Sequence, residues 1–339
     1  MNESSPKGAD LVEQTVKTMK AVVYESYGSP EVLHLRTIEK PEVGDDQVLV
    51  RVVAASVNPL DWHRMRGEPY VMRASEGWLK PKNTGLGADL AGVVETVGKN
   101  ITEFQPGDEV FGMSMKTCAE YVRVSVEAIV PKPANLTFEQ AASVPVAAIT
   151  ALQGLRDKGN LRPGQKVLIN GAAGGVGTFA VQIAKSLGAD VTGVCSTRNV
   201  ELVRSLGADH VIDYTREDFS RNGQSFDLIL DSAGNRSLSD YRRVLSPNGT
   251  FVLVGGPPGR WLGPMALAIK VVLASRFVSQ RLLTFLSKRN KDDLLFLKEL
   301  IEAGKVTPVI DRAFPLSEVP EAIRYLEAGH ARGKVVITV

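Results

Sequence analysis

The sequence predicts an α/β fold: a parallel sheet wound on both faces by helices, joined to a smaller β-rich domain. Short apolar runs alternate with helical stretches through the middle of the 339-residue chain, the pattern of a doubly wound sheet. A glycine-rich turn, Asn170-Gly-Ala-Ala-Gly-Gly-Val-Gly177, follows the first of those runs directly. Short strand-like runs separated by Gly, Pro and Asp turns fill the first third, as in a small barrel-like β domain.

The first strand of the wound unit is Lys166-Val-Leu-Ile169, and Thr178 to Gly188 carries apolar residues at helical spacing. Strand, tight turn and helix make a phosphate-binding corner. Small residues let the backbone approach a pyrophosphate, and the helix N-terminus offers unpaired N–H groups with the positive end of the helix dipole. Ala172 stands where G-x-G-x-x-G has its first glycine, so the match is to a relaxed form. Gly174, Gly175, Val176 and Gly177 are expected to hold the phosphates.

The second strand, Asp190 to Ser196, runs into Cys195-Ser-Thr-Arg198. An NAD-binding unit would carry an acid about 20 residues beyond the glycines, to accept from both ribose hydroxyls. Here there is a guanidinium and no carboxylate. Ser196, Thr197 and Arg198 are expected to bind a 2'-phosphate through charge-assisted hydrogen bonds, which favours NADPH over NADH. Thr197 also reads as the cap of a helix over Asn199 to Leu206, and Arg198 as a solvated charge; both readings can hold together.

His210 to Tyr214, Phe226 to Asp231 and Thr250 to Val254 supply three further strands, with a helix over Leu238 to Leu245. Ligands of such sheets gather at the strands' C-terminal ends, which makes Tyr214, Ala233 and Gly255 candidate cofactor contacts. Tyr214 reads equally as a rim aromatic with its hydroxyl in water.

Composition narrows the class. A formal charge of +2 gives no field for nucleic acid, and 44% hydrophobic with 23% charged residues is ordinary for a globular chain. Two cysteines, Cys118 and Cys195, build neither a disulfide framework nor a four-thiolate zinc site, and fit a reducing cytoplasm. Residues 1–19 are polar, resemble neither a signal nor a transit peptide, and are expected to form a flexible tail.

In the β domain, Lys20 to Tyr24, Val48 to Val53, Ala91 to Val97 and Tyr121 to Val124 read as strands. Turns at Gly28-Ser-Pro30, Val43-Gly-Asp45 and Gln105-Pro-Gly-Asp108 divide them. Arg312 to Phe314 and Lys334 to Val339 also have strand character and are expected to return to this domain.

These residues together resemble the medium-chain dehydrogenase/reductase superfamily, and within it the zinc-independent quinone oxidoreductase and alkenal/one reductase branch. The resemblance spans nearly everything from Met19 to Val339. It rests on Gly28-Ser-Pro-Glu-Val-Leu, Ala55-Ser-Val-Asn-Pro-Leu-Asp-Trp62, Gly87-Ala-Asp-Leu-Ala-Gly92, Phe104-Gln-Pro-Gly-Asp-Glu-Val-Phe-Gly112 and the Ala172 to Gly177 turn. It implies a GroES-like catalytic domain over 20–143 and 285–339, interrupted by a Rossmann NADPH-binding domain over 144–284, with the active site in the cleft between them.

Zinc-dependent members of the superfamily bind their catalytic metal through a Cys at the position of Asn58, a His-Glu pair at Ala88-Asp89, and a Cys near the start of the Rossmann domain. None of these ligands stands here, and no cysteine lies between Cys118 and Cys195. No zinc is expected, so no Lewis acid stabilises an alkoxide. A quinone or an α,β-unsaturated carbonyl spreads the charge through its own conjugation. The expected reaction is hydride transfer from NADPH to such an acceptor, a small-molecule substrate. The alternative is a non-catalytic NADPH-binding sensor of the same fold.

The resemblance also implies roles for single residues. Asn58 is expected to point at the nicotinamide or the acceptor carbonyl, or else to serve as a turn residue before Pro59. His63 reads as a proton relay or as a surface helix histidine. Arg66 and Tyr70 are candidate substrate-pocket residues, and Thr150 matches a position that meets the nicotinamide in relatives. The apolar segment 261–286, interrupted by Lys270, Arg276 and Arg281, is too charged to span a membrane. It is expected to cover the cleft and contribute to a homodimer interface; weak membrane-surface contact is the alternative.

Overall fold

The computed structural model describes residues 17–256 and 264–339. Among them, one sheet holds six parallel strands in the order His210–Asp213, Asp190–Cys195, Lys166–Asn170, Phe226–Asp231, Leu245–Leu253 and Arg281–Thr284. The chain enters at Lys166–Asn170, winds toward one edge, and returns to fill the other side. The winding reverses between Lys166–Asn170 and Phe226–Asp231, and there the loops at the strands' C-terminal ends part to leave a crevice.

The two-residue period of a strand explains why both faces are apolar. Val167, Ile169, Leu228, Leu230 and Val252 pack into one cluster with Phe179 and Ile183 of the helix Gly175–Ser186. The alternate residues Leu168, Ile229, Phe251 and Leu253 pack into another with Tyr241 and Phe219.

The second domain is built on a seven-stranded sheet with Gln47–Val57 and Asp89–Val97 at its centre. Lys334–Thr338 pairs antiparallel with Gln47–Val57 and parallel with Ile310–Pro315, so the C-terminal segment does return to this domain. Val50, Val52, Leu90, Val94, Val335 and Ile337 share its core. Thr18–Val23 and His34–Glu39 form a separate hairpin-like sheet alongside. The architecture is the α/β arrangement expected from the sequence, a β-rich domain interrupted by a doubly wound parallel sheet.

Most of the tail expected over 1–19 lies outside the described residues, but Thr18 and Met19 already belong to a strand. The segment 261–286 divides in two. After 261–263, which lie outside the described residues, comes the helix Pro264–Ala274, and then the edge strand Arg281–Thr284. Leu267 and Val271 of the helix pack beneath Phe251 and Leu282, whereas Ile269, Val272 and Leu273 are exposed. Among the described residues, no helix is long and apolar enough to cross a membrane.

Candidate active site

The crevice opens into a cleft of about 480 Å³ between the domains. Gly174, Gly175, Val176, Ser196, Arg198, Tyr214 and Ala233 line it from the parallel sheet, and Asn58 and Lys334 line it from the β domain.

At the glycine turn, the twelve-residue helix Gly175–Ser186 begins with Gly174 as its N-cap and no side-chain cap. Its first amides have no intrahelical acceptor and are left for a ligand. Gly177 lies behind this wall; a Cβ there would come within 2.0 Å of the Gly171 carbonyl oxygen, so only glycine lets the helix start so close to the turn. An uncapped helix end walled by such small residues fits a pyrophosphate. Below the turn, Asn170 Nδ2 lies 2.9 Å from Asp231 Oδ1. The same carboxyl oxygen accepts the amides of Ala233 and Gly234 at 3.1 and 3.0 Å, which fixes the neighbouring loop. Burial pushes the Asp231 carboxyl up from its ordinary value.

At the far end of the cleft, Arg198 is exposed and donates one N–H to the His330 carbonyl at 3.0 Å. Arg332 clamps the same loop from the other domain, donating to the Arg198 carbonyl at 2.5 Å and to Asn199 Oδ1 at 2.7 Å. Arg198 therefore lines this end of the cleft, with the Arg332 guanidinium holding its loop from behind. Thr197 does not join them: its hydroxyl donates to Asp213 Oδ2 at 2.5 Å.

The opposite end is a buried polar cluster. Asp89, fully buried, accepts from the Ser56 hydroxyl at 2.6 Å, Asn58 Nδ2 at 2.8 Å, Lys334 Nζ at 3.2 Å and the Val146 amide at 2.7 Å. Lys334 Nζ also donates to Asn58 Oδ1 at 2.6 Å. Asn58 is thus the N-cap of the helix Pro59–Arg66 and a bridge between Asp89 and Lys334. Asp61 closes the capping box, accepting the Asn58 amide at 2.7 Å and the Gly87 amide at 3.1 Å. Burial pushes the Asp61 carboxyl up to about 6, with Asp89 adding to the rise and the two amides opposing it.

Several expected site residues stand apart from the cleft lining. His63 stacks on Trp62 with ring centroids 3.6 Å apart and places Nδ1 2.7 Å from the Glu68 carbonyl oxygen. Burial holds its imidazole below the ordinary value. Arg66 is paired with Glu327 through both its Nε and its Nη2, and Tyr70 lies under the Arg73 guanidinium. The Thr150 hydroxyl lies 2.6 Å from the Val146 carbonyl oxygen and 2.8 Å from the Ser287 hydroxyl. Gly255 donates to the Asp231 carbonyl at 3.2 Å, supporting the loop beside Ala233. Sequence reasoning passed over Lys334, His330 and Arg332, all on the C-terminal segment. Its only signal there was a lysine opening an otherwise apolar strand.

Among the described residues, no three His, Cys, Asp or Glu side chains are grouped as a metal ion would require. The family described as "Alcohol dehydrogenase GroES-like domain" matches residues 44–134, and "Zinc-binding dehydrogenase" matches 206–337. A 2-methylene-furan-3-one reductase of Solanum lycopersicum is 36% identical, over 94% of this chain and 79% of its own. An NADPH-dependent alkenal/one oxidoreductase of Arabidopsis thaliana, named as chloroplastic, is 37% identical over 95% of this chain and 80% of its own. The solved quinone oxidoreductase from Coxiella burnetii superposes with a TM-score of 0.84 at 34% identity, covering 95% of this chain and all of that one. The chain is an oxidoreductase that uses a nicotinamide cofactor and belongs to the medium-chain dehydrogenase/reductase superfamily, in its quinone-oxidoreductase-like branch.

Proposed function

We propose that the chain is a zinc-independent NADPH-dependent reductase of quinones and α,β-unsaturated carbonyls. One observation carries the reading: the two ends of the cleft. At one end Arg198 lines the cleft beyond an uncapped helix N-terminus, with Arg332 bonded to its carbonyl. At the other, a lysine ammonium sits between Asn58 and Asp89, the positions whose counterparts hold zinc in zinc-dependent relatives.

Gly174, Gly175 and Val176 would hold the pyrophosphate through backbone amides, and Arg198 the 2'-phosphate, with Ser196 beside it. Tyr214 and Ala233 would flank the adenosine half, at the ends of their strands. Bound there, NADPH supplies a hydride to an electron-poor carbon. The protein supplies orientation, exclusion of water and a positive charge at the acceptor end. That charge also repels a divalent metal, which supports a reaction run without one. An acceptor that delocalises its own negative charge suits such a site, and the names of the tomato and Arabidopsis relatives describe conjugated acceptors of that kind.

Incubation with NADPH deuterated at the transferable position and a simple enone tests the reading. Deuterium at the β-carbon of the saturated ketone is expected; deuterium on the carbinol carbon of an allylic alcohol would overturn it.

A further inference from the structure

The acceptor end of the cleft holds one charged group with a donor to spare. Lys334 opens the strand Lys334–Thr338, yet its side chain is only 3% exposed and it lines the cleft. An ammonium has three N–H groups. One reaches Asn58 Oδ1 at 2.6 Å and one Asp89 Oδ2 at 3.2 Å; the third meets no acceptor among the described residues. Asp89 is committed to several donors: Oδ2 accepts from Ser56, Asn58 and Lys334, and Oδ1 from the Val146 amide.

A buried ion pair gives little net stability, because desolvating both charges offsets their attraction. A strand-opening residue next to solvent has easier choices than a lysine turned inward. What the arrangement does provide is a fixed positive charge, weakly hydrated and poised over a cavity. Such charges act most strongly on negative charge that develops in the same low-dielectric space.

We propose that Lys334 is a catalytic residue: it receives the oxyanion formed on the acceptor and protonates it. The inference rests on the reductase reading above. A hydride brings two electrons to the β-carbon, the carbon–carbon π pair shifts toward the carbonyl, and the carbonyl oxygen takes the negative charge. The Nζ–H bond then breaks, its proton joins that oxygen, and the electron pair stays on nitrogen as a neutral amine beside Asp89. Solvent at the cleft mouth returns the proton to the amine, and the enol becomes the saturated ketone as water protonates its α-carbon and takes up the O–H proton. With a quinone the same transfer converts the hydroquinone monoanion to the hydroquinone. Asn58 and Asp89 act as positioning residues, holding Nζ and tuning its charge.

The test uses p-nitrophenol as a stable mimic of the oxyanion, with NADP+ saturating, alongside NADPH affinity and enone turnover. Variants are Lys334→Met and Lys334→Gln. The pair Lys334→Met with Asp89→Asn removes both buried charges, so it leaves no unpaired ion and remains measurable if the single variants do not fold. Wild type is expected to bind p-nitrophenol as its coloured anion. The variants should bind it at least about tenfold more weakly and lose about 10²–10³-fold in kcat, as when one donor to a developing oxyanion is removed. NADPH affinity should stay within about twofold of wild type. Unchanged anion affinity and kcat would reduce Lys334 to a structural role. A loss confined to NADPH affinity would assign it to the cofactor. Either result overturns the proposal, whereas failure of the reductase reading appears in the wild type alone, as no turnover of any enone or quinone.

Discussion

The Gly333 amide donates to the Ala173 carbonyl at 2.9 Å, stitching the start of the last strand to the glycine turn of the other domain. The C-terminal segment is therefore a wall of the cofactor cleft as well as part of the β domain. Gly333 has φ +92°, and a Cβ there would come within 2.3 Å of the Val309 carbonyl oxygen. Gly333→Val is expected to cost about 1–3 kcal/mol in stability, from strain and overpacking, and to weaken NADPH. Thermal denaturation and cofactor fluorescence titration check both; unchanged NADPH affinity in a folded variant would mean that the stitch does not shape the site.

Cofactor choice turns on Arg198. Replacing it with Asp puts a like charge beside the 2'-phosphate and leaves the adenosine ribose of NADH little affected. Arg198→Asp is expected to lose about 10²-fold in NADPH affinity, roughly the worth of a charge-assisted pair converted to a repulsive one, and less than about threefold in NADH affinity. Titration of both cofactors decides it, and equal losses would remove Arg198 from the 2'-phosphate.

Asp61 should make stability depend on pH. Its folded value of about 6 lies above the ordinary carboxylate value, so the folded state binds this proton more tightly than the unfolded chain does. The resulting stabilisation is fully present below about pH 4 and is lost as pH rises through 6, on the order of 3 kcal/mol in all. Asp61→Asn removes the titration. The stability of wild type minus that of Asp61→Asn, from urea midpoints, is expected to be larger near pH 5 than near pH 7.5. A difference independent of pH would contradict the assignment.

The wound sheet was legible because its strands are apolar on both faces and sit between glycine turns. The run Lys166 to Ile169 and the turn to Gly177 could hardly fold otherwise. Less visible was the strand Arg281–Thr284, which lies inside a longer apolar segment whose helix ends only at Ala274. His34–Glu39 was passed over because it is largely exposed and lacks an alternating pattern. In the cleft lining, the glycine turn, Arg198 and Tyr214 stand where local spacing directs attention. Lys334 does not, because its partner Asn58 is 276 residues away and only the sheet pairing brings them together. His63 and Thr150 show the converse: position by resemblance drew them toward the chemistry, whereas local partners hold them in place beside it.

The most direct measurement is NADPH oxidation by metal-stripped protein, comparing an enone and a quinone with the matched saturated aldehyde. Turnover of the conjugated acceptors that survives chelation, at least about 10²-fold faster than the saturated aldehyde, is the expected result, because only the former delocalise the charge that no metal neutralises. Activity that disappears on chelation and returns with zinc, or equal turnover of the saturated aldehyde, would contradict a zinc-independent reductase of conjugated acceptors.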